Sequence, residues 1–145
     1  MSVPYLINSD KGHISASQRI PTIAKPFVSE RAKKTLDLVE RFVEEECVPA
    51  DAVFAQQIKE AGEAHGSNVV GRFESHPSVI EDLKKRAKEL GLWNMFLPKN
   101  HFNEGAGFSN LEYGLMAELL GKSGVASEVC REFSEYKFSK CCPVC

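Results

Sequence analysis

The 145-residue sequence has no apolar run approaching the roughly 20 residues that a bilayer span needs, so no membrane partner is expected. It also has no basic excess. Eighteen Lys and Arg stand against twenty Asp and Glu, a formal net charge of −2 that gives nucleic acid no electrostatic footprint. No stretch before Phe27 resembles the apolar centre of a secretory signal, since Tyr5–Ile7 is the longest apolar run there. The five cysteines are odd in number and uneven, with Cys47 alone and Cys130, Cys141, Cys142 and Cys145 crowded near the C-terminus. Such a set is not a secreted disulfide framework, and an intracellular setting, cytoplasmic or mitochondrial, is expected.

Catalytic and metal-binding signatures are equally scarce. The histidines, His13, His65, His76 and His101, never fall four residues apart, and no HExxH run exists. Gly105, Ala106 and Gly107 precede a helix start, but a dinucleotide fingerprint needs a strand before them and a third glycine in register. A tight turn explains these glycines more simply. Cys142 and Cys145 form a CxxC pair that Cys130 and Cys141 complete on paper as four thiolates, yet no turn-spaced second pair exists. A small Cys-rich metal protein is therefore a minor alternative. Cys142 as a prenylation site lacks the polybasic neighbourhood, and Pro143 follows it directly.

What the sequence does contain is helical periodicity, on a composition (43% hydrophobic, 26% charged) typical of one globular domain. From Ser29, a plausible N-cap, apolar positions Leu36, Val39, Phe42, Val43 and Cys47 recur at three- and four-residue steps, with Glu40, Arg41 and Glu44–Glu46 on the solvated side. Pro49 interrupts this ladder, while Phe54, Ile58 and Ala61 continue it, which predicts one kinked helix or two in near succession. His65–Ser75 reads as a loop. Pro77 opens a third helix with Val79, Leu83, Ala87 and Leu90 on its apolar face, and Gly91 is placed to end it. Leu92–Leu97 is short and almost wholly apolar, which predicts a buried extended segment.

Lys99–Phe108 is a loop by composition. Ser109 with Glu112 three residues on is a capping-box signature for a last helix, whose apolar face comprises Leu111, Leu115, Met116, Leu119 and Leu120, with Gly121 as its stop. The expected architecture is all-α, about four helices, with a flexible arm over 1–28, a helical domain over 29–127 and a divergent Cys-rich tail over 128–145. Trp93, Leu97, Leu115 and Leu119 are expected in the core. Gly105, Gly107 and Ser109 are expected to shape the loop and cap.

The segment LGLWNMFLPKNHFNEGAGFSNLEYGLMAELLGKS, Leu90–Ser123, resembles the N-terminal helical domain of the acyl-CoA dehydrogenase family. In that family a helix ending in Leu-Gly leads to a short apolar segment, a proline, a glycine-containing loop and a helix rich in Glu and Leu. VERFVEEECVPADAVF, Val39–Phe54, is similar to the family's first helix. The loop Lys99–Phe108 is longer than in common members and closer to the subgroup with relatives fused to kinase-like domains. The resemblance covers about residues 30–127 and implies a flavoprotein that oxidises fatty acyl-CoA at its α and β carbons. A carboxylate takes the α proton, and FAD accepts the hydride. In the family, base and flavin contacts lie on a middle β domain and a C-terminal helical bundle, so no catalytic or cofactor-binding residue transfers to this sequence. The expectation is a truncated member, inactive alone, with FAD, acyl-CoA and any homo-oligomer properties of a full-length relative. The alternative is a non-enzymatic helical module that binds a partner through the face those domains would cover.

Overall fold

The computed structural model describes residues 14–64 and 76–131. Among these residues the structure is all-helical, with no strand. Four helices of eleven residues or more carry it: α1 (Glu30–Phe42), α2 (Val48–Ala64), α3 (Ser78–Glu89) and α4 (Asn110–Leu120). A single turn, α5 (Ala126–Val129), follows. α1 packs on α4, α2 on α3, and α5 touches both α3 and α4.

α1 begins where Ser29 accepts a hydrogen bond from the Ala32 amide. Its inward face is Ala32, Leu36, Val39 and Phe42, all buried. The interruption expected at Pro49 takes the form of a π turn, Val43–Cys47, in which the Val48 N–H reaches back to the Val43 carbonyl. Proline lacks an N–H and its ring would crowd the Glu45 carbonyl in a regular ladder, so the wider turn lets α1 run on into α2. Along α2 the stripe read at Phe54, Ile58 and Ala61 is only half-buried; Ala50 and Gly62 are its buried positions.

α3 starts one residue later than the sequence suggests, with Pro77 at the cap position. It ends as expected: Gly91, at φ +73°, lets the Leu92 N–H bond the Ala87 carbonyl and its own N–H bond Lys88. That double closure is a Schellman stop, which a residue with a Cβ resists.

Three expectations are corrected. Residues 14–28, read as part of a flexible arm, form a strap over α1 that ends in a short 3₁₀ turn, Lys25–Phe27. Ala16, Ile20, Ala24 and Val28 turn inward at four-residue intervals. Residues 1–13 lie outside the described set, as does the predicted loop at 65–75. The stretch Leu92–Leu97 is not extended: it is a succession of turns in which Leu92, Asn94 and Met95 are buried, while Phe96 is exposed. Asn94 sits at φ +53° and donates its N–H to the Cys130 carbonyl at 3.0 Å, which ties the turn to the end of α5. Of the expected core residues only Leu119 is buried; Trp93, Leu97 and Leu115 are half-buried. Trp93 instead lies under the Lys88 ammonium, 4.1 Å from the ring centre.

The capping box of α4 is present, and its carboxylate does more than cap. Glu112 Oε2 accepts from the Ser109 N–H at 2.8 Å. Its Oε1 accepts from both the N–H and the hydroxyl of Ser29, at 2.9 and 2.6 Å. One side chain, 7% exposed, thereby holds the starts of α1 and α4 together across 83 residues of sequence. Replacing Glu112 with Ala strands donors at two helix starts and is expected to cost about 2–4 kcal/mol, against about 1 kcal/mol for Ser109→Ala, by urea unfolding.

Burial alone raises the Glu112 pKa, but hydrogen bonds from Ser29 and Ser109 outweigh it and hold the carboxyl below its ordinary value. Its contribution is thus complete above the unfolded-state value of about 4.3 and is lost as pH falls through the depressed folded value. A Glu112→Gln variant should show a shallower loss of stability than wild type on acidification below about pH 5, read from urea midpoints.

Candidate functional site

An open groove of about 300 Å³ lies between the strap, α1 and α4. Its floor is Ala16, Ile20, Leu36, Leu115 and Leu119, and its rim carries Arg19, Glu118 and Lys122. The strap is fixed beside it by two acids of α1. Glu40 accepts from the Ala16 N–H at 2.9 Å and pairs with Arg19, and Asp37 accepts from the Ser17 N–H and hydroxyl, each at 2.8 Å. Lys122 closes the network through Glu40 at 3.7 Å and Glu44 at 2.9 Å. The sequence pattern placed Glu40 on the solvated side, yet it is 3% exposed. The strap's backbone donors need an acceptor at this point, and the turn from Ala16 to Arg19 brings a cation to the same carboxylate.

Glu44 is exposed, as the pattern predicts, and Glu46 half-buried, and each also pairs with another element: Glu44 meets Lys122, and Glu46 meets Arg86 of α3 at 3.2 Å. Both groove cations are therefore committed to carboxylates. The apolar floor and neutralised rim suit packing against another surface better than acid–base chemistry.

The glycine loop offers no phosphate cradle. A Cβ on Gly105 would lie 2.5 Å from the Leu97 carbonyl oxygen and 3.0 Å from the Lys99 nitrogen, so glycine is needed there for close backbone approach. Arg31 pins the loop by donating to the Ala106 carbonyl at 2.8 Å while stacking 4.5 Å over Phe108. The α4 N-terminus that would face a pyrophosphate already holds the Glu112 carboxylate. A like charge at that position opposes a second anion, and the described residues do not fit a flavin pyrophosphate at this helix end.

Cys130 does not sit as a metal ligand. It is buried, as is Cys47, and burial pushes each thiol up to about 12, with Cys130, Glu46 and Asp51 adding to the effect at Cys47. Ligation needs a thiolate, which such surroundings oppose. No group of three or more His, Cys, Asp or Glu able to hold a metal occurs among the described residues. Cys141, Cys142 and Cys145 lie outside them, as do His13 and His65, whereas His76 and His101 are exposed and lie on separate segments.

Sequence reasoning missed Asp51. Its carboxylate accepts from the Ser123 hydroxyl at 3.0 Å and from the Gly124 and Val125 amides at 3.3 and 3.2 Å, so α2 itself caps the turn that leads into α5. Nothing local marks this role, because the partners are more than seventy residues apart.

No protein-family profile matches the chain, and no solved structure does. Among curated proteins it is 37% identical over 101 residues to acyl-CoA dehydrogenase family member 11 of Rattus norvegicus, covering 70% of this chain and 12% of that protein. It is 30% identical over 130 residues to acyl-CoA dehydrogenase family member 10 of Mus musculus, covering 82% of the chain and 11% of the relative. A 47-residue stretch is 47% identical to probable acyl-CoA dehydrogenase FadE2 of Mycobacterium tuberculosis, covering 32% of the chain and 10% of that protein. The chain thus spans about an eighth of the length of the family members 11 it matches.

The thiol environments give a direct test. In the native chain at neutral pH, Cys47 and Cys130 should resist alkylation by iodoacetamide and become labelled only in denaturant, as read by peptide mass mapping. By sequence similarity over 70–82% of its length, the chain is homologous to a portion of members of the acyl-CoA dehydrogenase family.

Proposed function

We propose that the described helices form the N-terminal helical unit of an acyl-CoA dehydrogenase-type flavoprotein, and that this chain alone does not oxidise acyl-CoA. The reaction so assigned is α,β-dehydrogenation of a fatty acyl-CoA thioester, with FAD taking the hydride. The observation that carries the reading is the 37% identity over 101 residues to a protein named for that chemistry.

The division of labour follows from what the side chains already hold. The open groove is small for a flavin, which exceeds the drug-sized ligands enclosed at about 300 Å³ and above. The buried acids each have a structural role, since Glu112 holds two helix starts and Glu40 holds the strap. Such a unit can brace and shape a site whose base and flavin contacts come from elsewhere in a longer polypeptide.

Two measurements test this. The purified chain should show no flavin absorbance and no acyl-CoA-dependent dye reduction; a yellow protein that turns over acyl-CoA would contradict the proposed inactivity. The family reading is tested by replacing the matched segment of the rat family member 11 with that of this chain. The chimera should retain flavin and acyl-CoA-dependent reduction within about tenfold of the parent, a difference of about 1.4 kcal/mol in the barrier. A soluble, helical chimera without flavin would contradict the proposal.

A further inference from the structure

The strap over α1 rests on little buried apolar surface. Its inward residues are Ala16, Ile20, Ala24 and Val28, two of them alanines, whereas α1 turns Leu36, Val39 and Phe42 to the core, each 2% exposed or less. The larger apolar side chains Ile14, Ile23 and Phe27 are 56%, 83% and 72% exposed and add little to its hold. Backbone hydrogen bonds from Gln18 and Arg19 to Ser15, and from Ala24 and Lys25 to Pro21, close turns within the strap. These bonds maintain its shape and not its place on α1.

Its place is marked by polar ties at two points. At the far end Asp37 accepts from the amide and hydroxyl of Ser17, and Glu40 accepts from the Ala16 amide and pairs with Arg19. At the near end Ser29 is pinned by Glu112, and Val28, at φ −105° and ψ 118°, is an extended residue between that anchor and the 3₁₀ turn. A segment with few buried apolar contacts opens at lower free energy than the core it lies on. Ala16 and Ile20 share the groove wall with Leu36, Leu115 and Leu119, so lifting the strap turns the groove into a wider apolar face of α1 and α4.

We infer that the strap is a lid that lifts from α1 as one unit, turning about Val28, while the four helices stay folded, with Asp37 and Glu40 as its latch. Ser17 gives both its amide and its hydroxyl to one carboxylate, and Ala16 and Arg19 share the other. Bonds to an ionised acceptor are stronger than neutral ones, so the two acids hold the strap more firmly than its alanines do. Because the acids lie one turn apart on α1, the tie at one supports the tie at the other, and release at this end frees the strap together. Leu36, Val39 and Phe42 keep their places in the core, since α1 remains fixed at Ser29 and through its contact with α4. The closed lid covers apolar surface beside the groove, and the open lid makes that surface accessible.

Ala24→Cys in the full 145-residue chain puts a reporter thiol on the inward side of the strap, with the buried Cys47 and Cys130 as internal references. Under native conditions iodoacetamide should alkylate the introduced thiol about tenfold or more faster than either reference, as read by peptide mass mapping. Adding Asp37→Asn/Glu40→Gln should accelerate that labelling by a further factor of about ten, while the references change less than about twofold. In the unsubstituted chain, hydrogen exchange at the Ala16 and Ser17 amides should proceed through one common opening of lower free energy than global unfolding, a measurement that no introduced side chain disturbs. Exchange of these amides only through global unfolding, or an introduced thiol as protected as Cys47 and Cys130, overturns the lid. Equal acceleration of all three thiols by the latch substitutions also overturns it, because the strap then opens only with the core. If the latch substitutions leave the introduced thiol unchanged, the segment frays from its end without turning about Val28, and the inference fails.

Discussion

A single carboxylate, that of Glu112, sets the geometry on which the other described features depend. Four orphan amides open every helix, and they must find acceptors wherever the helix start is not freely solvated. Here two helix starts converge and share one acceptor, with Oε2 on Ser109 and Oε1 on Ser29. The strap that precedes α1 runs back along it to Asp37 and Glu40, and the glycine loop leads into the start of α4. Arg31, one residue into α1, meets that loop at the Ala106 carbonyl and over the Phe108 ring. Asp37 and Glu40, farther along the same helix, receive the strap's first amides. The apolar contacts supply most of the driving force, while these polar ties select one arrangement among several of similar burial.

The same economy recurs at the other end of the molecule. Asp51 caps the approach to α5 from a helix more than seventy residues away in sequence, and Asn94 adopts a left-handed conformation to tie the connector to Cys130. The buried acids among the described residues, Glu40 and Glu112, join segments. That is consistent with a bracing role and explains why the buried acids do not resemble a catalytic pair: each oxygen of Glu112 already has a donor, and Glu40 carries a cation and an amide.

Much of the fold was legible because it is written in local signals. The Ser109–Glu112 box, the Ser29 cap, the Gly91 stop and the four helices rest on spacings of three and four residues, which survive any tertiary context. What was illegible depends on partners distant in sequence. Glu40 looks solvated in a helical pattern and is buried by a strap whose own four-residue spacing, Ala16, Ile20, Ala24 and Val28, is composed of small or isolated apolar residues. Leu92–Leu97 has the composition of a buried strand, but a strand needs a neighbour to pair with, and here the backbone turns through Asn94. The family resemblance was readable from Leu90–Ser123, whereas no arrangement of catalytic side chains was readable from the pattern.

The most direct test of the central constraint is hydrogen exchange at the Ser29 and Ser109 amides, compared between the native chain and Glu112→Ala under conditions where both are folded. Both amides donate to Glu112, so protection at both should fall together by a similar factor, although they lie eighty residues apart. If Ser109 alone loses protection while Ser29 exchanges as before, Glu112 is an ordinary local cap, and this junction does not hold α1 to α4.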